Sequence, residues 1–177
     1  MKKEEFKEIS KEFEWLEKNR NYYLKAIKDC NINNHARVLD LGCGNGLWSF
    51  ELLKNNNQVY GIDINKKAIQ YANFIKENKG LNKIHFVQSS AESLPFKDGF
   101  FDAVISISVL QYVNREKVFK EIVRVLKTNG SFISILNHGF GYYLKRSLQL
   151  NRGISHVLKW ASSLFREIIF KLFKYSN

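Results

Sequence analysis

Val38-Leu39-Asp40-Leu41-Gly42-Cys43-Gly44-Asn45-Gly46 is an apolar run that stops at three glycines on alternate positions. Such a run reads as a buried strand entering a tight turn. Leu47 to Lys54 follows with helical spacing, so strand, glycine turn and helix open a βαβ unit. Glycines at these points allow positive φ and let a ligand lie against bare main chain. The first N–H groups of the helix are expected to face that ligand.

Working outward, Gln58-Val59-Tyr60-Gly61-Ile62-Asp63 is a second short strand with an acid as its last residue. A carboxylate at the tip of the second strand, about 20 residues after the turn, accepts hydrogen bonds from ribose hydroxyls. The turn itself reads G-x-G-x-G, with Leu47 where the third glycine of a G-x-G-x-x-G fingerprint belongs. That departure argues against a pyrophosphate cofactor and a nicotinamide-dependent oxidoreductase. A third strand is expected at Lys83–Gln88. Ser89-Ser90-Ala91-Glu92-Ser93-Leu94-Pro95-Phe96 follows it.

Taken in order, Val38–Gly46, Asp63 and the Leu94-Pro95-Phe96 segment resemble the class I S-adenosylmethionine-dependent methyltransferases, small-molecule branch, over about residues 35 to 137. The resemblance implies a Rossmann-like, doubly wound α/β fold, with a mostly parallel sheet of about five strands and flanking helices. It implies S-adenosyl-L-methionine as cofactor, and it places Asp40, Gly42, Gly44, Gly46, Asp63, Ile64, Ser90, Ala91 and Glu92 around it. Ser90 stands where the family commonly has an Asp that accepts from the adenine amino group. A hydroxyl accepts the same bond more weakly than a carboxylate. By the same resemblance Gln111 and Tyr112 are candidates for the acceptor pocket, with packing as the other reading. His138, just past the fifth strand, is the one candidate base; a loop residue facing solvent is the alternative. Asp102 starts the fourth strand, far from the ligand end, and reads as structural.

The remaining pattern suits that fold. Ala68, Ile69, Ala72 and Ile75 share one face of a helix over 66–78, which Gly80 ends. Ala103–Ser108 reads as a fully buried fourth strand. Asn114 can cap a helix over 115–126. Lys127-Thr128-Asn129-Gly130 has turn chemistry, and 131–137 is a fifth strand. Strand and helix alternation gives right-handed parallel crossovers, with ligands beyond the C-terminal strand ends.

Two flanking segments differ from this core. Residues 1–34 read as an N-terminal helical segment, with Phe6, Ile9, Phe13 and Leu16 recurring at helical spacing; it packs on the sheet or helps close over ligand. Residues 138–177 carry Lys145, Arg146, Arg152, Lys159, Arg166, Lys171 and Lys174 against Glu167 alone, more than half of the net charge of +11. Their apolar stripe predicts a basic C-terminal amphipathic helix. It serves as an acceptor lid, as a self-association surface, or as a contact with an anionic membrane.

The 177 residues suit one domain, and an apolar fraction of 45% supports a sizeable core. Cys30 and Cys43 supply neither a disulfide framework nor metal spacing, and no metal is expected. Without an apolar signal region or a run of 18 uncharged apolar residues, the chain is expected in the cytoplasm. No nucleic-acid motif is evident, and the expected partner is a small-molecule acceptor. The expected activity is methyl transfer. A truncated or non-catalytic cofactor-binding protein with a partner-binding basic tail is the alternative.

Overall fold

The computed structural model describes Asn21, residues 32–55 and residues 57–135. Apart from Asn21, the N-terminal segment below Ile32 lies outside the described residues, as do His138 and the basic stretch 138–177.

The elements are β1 (Arg37–Leu41), α1 (Leu47–Leu53), β2 (Gln58–Asp63), α2 (Lys66–Asn78), β3 (Ile84–Gln88), β4 (Phe101–Ile107), α3 (Arg115–Val125) and β5 (Leu126–Ile135). The five strands form one sheet in the order β3-β2-β1-β4-β5, and every pairing is parallel. From β1 the chain steps outward through β2 and β3, then returns to the other side for β4 and β5. The order therefore reverses between β1 and β4, and in open α/β sheets ligands bind in the crevice beyond the C-terminal strand ends at such a reversal.

Alternation along the strands divides the core. Val38, Val59, Ile84, Phe86, Ile105 and Ile133 point to one face, where Trp48 and Leu52 of α1 and Ile69 and Ala72 of α2 cover them. Leu39, Leu41, Val104 and Phe132 point to the other and meet Val118, Phe119, Ile122 and Val125 of α3. Leu39 and Ile105 are wholly buried; each such side chain contributes roughly 1.5–3 kcal/mol.

The helix ends follow local chemistry. Asn65 caps α2 by accepting from Lys67 and Ala68 N–H, and Asn114 caps α3 by accepting from Lys117 N–H. Past α2, Gly80 takes φ 60° and Leu81 N–H donates back to Lys76 O at 3.1 Å, satisfying a terminal carbonyl.

One boundary differs from expectation. Instead of starting at 131 after a separate turn, β5 begins at Leu126, directly out of α3. Leu126 pairs Phe101 and Ser131 pairs Ala103, so Lys127–Gly130 stand opposite Asp102 alone. The turn residues are thus a large bulge inside the strand, with Asn129 at φ 67°. Asp102 anchors the bulge: its carboxylate accepts from Arg37 N–H at 2.8 Å and pairs with Lys127. These residues lie at the N-terminal end of the sheet, as the sequence reading of Asp102 expects. They border a cleft of about 370 Å³ on the side away from the crevice.

Candidate cofactor site

The crevice is built from the ends of β1, β2 and β4 and the loop after β3. The turn after β1 closes onto β2: Gly42 and Cys43 N–H both donate to Ile62 O at 2.8 Å. Gly42 has φ 74°, and a Cβ there would lie 2.2 Å from Val109 Cγ2, so the segment after β4 packs directly on the turn. Gly44 has φ 52°, and a Cβ there would meet nothing within 4 Å. One glycine is thus required by packing, and the next presents bare main chain to open space.

Asp63 ends β2 within this turn. Its Oδ2 accepts from Gly44 N–H at 2.9 Å and its Oδ1 from Asn65 N–H at 2.8 Å. Two main-chain donors therefore fix the plane of the half-buried carboxylate. An ionised carboxylate has about four lone-pair sites, so each oxygen keeps capacity for one further donor. A vicinal diol fits that arrangement.

The same bonds show where the donors of the turn go. The N–H groups of residues 42, 43 and 44 are spent on Ile62 O and Asp63, and Gly46 N–H donates to Cys43 O. The turn offers a ligand its open surface rather than a row of donors. A phosphate cradle needs such donors; a neutral nucleoside does not.

Asp40, on β1, is 1% exposed and accepts from Ser49 Oγ of α1. Burial pushes its carboxyl up to about 6, and the charge of Asp63 adds to the rise, against the lowering effect of the Ser49 bond. Two acidic groups at one end of the sheet make a negative environment that a cationic ligand relieves. Burial likewise raises the Cys43 thiol far above its ordinary value, which keeps it neutral and a small filler of the turn.

The loop after β3 is tied to Asp63, because Ser89 N–H donates to Asp63 O at 3.0 Å. Ser90 Oγ accepts from Glu92 N–H at 3.1 Å, and Ser93 N–H donates to Ser90 O at 3.2 Å. Ser90 thus shapes its own turn, while its O–H and a second lone pair stay available. Ala91 is half-buried against the α3-side core. The Glu92 carboxylate turns to α3, accepting from Asn114 N–H at 2.9 Å with Lys117 Nζ at 3.7 Å. Ile64 is 74% exposed beside Asp63, an apolar side chain open to solvent or to a flat ligand.

The segment after β4 carries the acceptor candidates. Tyr112 N–H closes a turn on Val109 O, and its ring is 80% exposed. Gln111 Oε1 is buried without a hydrogen-bond partner among the described residues, as are the hydroxyls of Ser106 and Ser134. Gly42, Gly44, Asp63, Ser90 and Ala91 thus stand in the segments that follow or end β1, β2 and β3, Gly46 packs against Phe86 and Phe50, Asp40 is buried within β1, and the Glu92 carboxylate is bonded to the start of α3. Ser49 is a partner that sequence reasoning misses; it sits on the buried side of a short helix, where serine gives no periodic signal.

Comparison with known proteins places this geometry. The profile of the family described as "Methyltransferase domain" matches residues 32–151. The chain belongs to the class I S-adenosylmethionine-dependent methyltransferases. The ubiquinone biosynthesis O-methyltransferase of Pelagibacter ubique is 35% identical over 149 residues, covering 78% of this chain and 59% of that protein. The demethylmenaquinone methyltransferase of Lactococcus lactis is 32% identical over 115 residues, covering 63% and 46%. The crystal structure of YcgJ from Bacillus subtilis superposes with a TM-score of 0.56 at 32% identity, covering 61% of this chain and 47% of that one. The chain spans about half the length of the curated relatives it matches. Among the described residues of this methyltransferase-family chain, no helix is long and apolar enough to cross a membrane.

Proposed function

We propose that this chain takes a methyl group from S-adenosylmethionine and transfers it to a small-molecule acceptor, with a quinone precursor as the first class to try. The observation that carries the reading is the Asp63 carboxylate, fixed by Gly44 and Asn65 N–H with capacity left for two hydroxyl donors. The acceptor class draws on relatives named for ubiquinone and menaquinone methylation.

Bound there, the cofactor supplies a methyl group already activated on a sulfonium. The chain binds and orients. Asp63 holds the ribose edge, Ser90 and Ala91 border the base, and the bare face of Gly44 admits the ligand. Asp40 and Asp63 favour its positive charge. Gln111 and Tyr112 stand on the acceptor side. Holding two reactants in line lowers such a barrier by roughly 7–11 kcal/mol relative to free reactants. A base is needed only for an acceptor that arrives protonated; His138 is the candidate the sequence offers.

The test is release of S-adenosylhomocysteine on incubation with S-adenosylmethionine and a panel of catechols, hydroquinones and sterols. Turnover of a ring phenol supports the reading. Cofactor binding with no turnover across the panel would favour a binding role. The basic stretch 138–177 belongs to this reading as acceptor-side cover, and co-sedimentation with anionic vesicles at low salt would reassign it to a lipid surface.

A further inference from the structure

We infer that Arg124, acting with Glu121, is a positioning residue for the cofactor's base, holding the loop after β3 in place from the far end of α3. The inference rests on the proposed cofactor reading and extends it to a side chain outside the crevice.

Arg124 lies on the last turn of α3, with 31% of its side chain exposed. Its guanidinium is used on three sides. Nη1 donates to Phe96 O at 2.7 Å and to Asp98 Oδ1 at 2.8 Å. Nη2 donates to Leu94 O at 3.0 Å and to Glu121 Oε2 at 2.7 Å. Nε donates to Glu121 Oε1 at 2.8 Å, completing a two-point pair. Glu121 then accepts from Leu94 N–H at 2.6 Å, and Gly99 N–H donates to Arg124 O at 2.9 Å. Leu94 is thereby bound through both its N–H and its carbonyl. The Arg124 bond holds the Glu121 carboxyl below its usual range, so both partners are charged at neutral pH.

The segment has no helix or strand of its own between Gln88 and Phe101. Its carbonyls at 94 and 96 have no ladder to join, and only a planar multi-donor side chain serves both at once. A second tie lies at the other end of α3, where Glu92 accepts from Asn114 N–H. Ser90 and Ala91 lie just before these ties, between Ser89, whose N–H donates to Asp63 O, and Glu92, so the α3 side of their path is set by the ties at Glu92 and Leu94. An error of about 1 Å there misplaces the groups that border the base.

The predicted signature is loss of base discrimination rather than general loss of binding. Calorimetry should compare S-adenosylhomocysteine with S-inosylhomocysteine, which differs only at the 6-position of the base. The full chain should prefer the adenosyl ligand. Arg124→Met should cut that preference about tenfold, the scale of one charge-assisted hydrogen bond's worth of order, while Asp63→Ala weakens both ligands alike. Arg124→Lys keeps the charge but cannot span both carbonyls and Glu121, and should show the same loss in part; it carries the test if the Met variant does not fold. Unchanged discrimination in a folded variant, or equal weakening of both ligands, overturns the inference alone. Failure of the unaltered chain to bind either ligand overturns the cofactor reading and this inference with it.

Discussion

Replacing Asp40 by Asn should make the ligand-free protein more stable and its cofactor affinity lower. The carboxyl is raised from 3.8 to about 6, chiefly by burial. In the folded state it holds its proton more tightly than in the unfolded chain. Its ionisation therefore costs nothing below the unfolded value, and the cost grows as pH rises through about 6. The folded and unfolded values lie about two pH units apart, and at about 1.36 kcal/mol for each the cost reaches roughly 3 kcal/mol at pH 7.5. By the same linkage relation the cost is about 1 kcal/mol at pH 4.5. The amide oxygen of the Asp40→Asn variant would still accept from Ser49 Oγ, but its amide nitrogen brings buried N–H donors beside the Ser49 backbone N–H that also bonds the carboxylate, which offsets part of the gain. Urea unfolding of both proteins at the two pH values should show a gain of up to about 3 kcal/mol at pH 7.5 that shrinks on acidification. S-adenosylmethionine, a cation, should bind the variant more weakly. A variant that is less stable at pH 7.5, or whose advantage does not change with pH, would refute the reasoning.

Other outcomes follow from the same contacts. Gly42→Ala should cost about 2–5 kcal/mol in thermal unfolding, from positive φ and from overpacking, because a Cβ there would lie 2.2 Å from Val109 Cγ2. The added change Val109→Ala should recover the overlap part and leave the backbone part, a non-additivity that the double variant measures directly. Ser90→Asp should leave S-adenosylhomocysteine affinity unchanged or tighten it, since a carboxylate accepts more strongly than a hydroxyl. A large loss, with the circular dichroism spectrum intact, would mean that the base lies elsewhere.

The glycine run and the acid at the tip of β2 were legible because their chemistry is local: a turn needs positive φ, and a strand end fixes where a carboxylate stands. The two-faced core was legible for a similar reason, since alternation assigns Leu39 and Val38 to opposite sides before any contact is known. Asn114 and Gly80 mark helix ends through bonds within their own few residues. What stayed hidden depends on distant partners. That Asp63 takes Gly44 N–H, and so removes a donor from the ligand, is a contact across 19 positions. Arg124 reads as an ordinary solvent-side helix residue until the carbonyls of Leu94 and Phe96 are seen within its reach. The bulge at Lys127–Gly130 reads as a free turn because its opposing residue, Asp102, lies on another strand. Glu92 aligns with a cofactor residue, yet its carboxylate goes to the start of α3.

The central claim is that the crevice at the ends of β1, β2 and β4 holds S-adenosylmethionine by its ribose at Asp63. Titration calorimetry of the full chain with S-adenosylhomocysteine and with NAD, repeated on Asp63→Ala, tests it most directly. Two hydroxyl bonds to a charged acceptor are worth about 1.5–3 kcal/mol each. The account predicts binding of the adenosyl ligand, none of NAD, and at least a roughly tenfold loss in a variant whose circular dichroism is unchanged. Binding of NAD, or an affinity that survives the loss of Asp63, would contradict it.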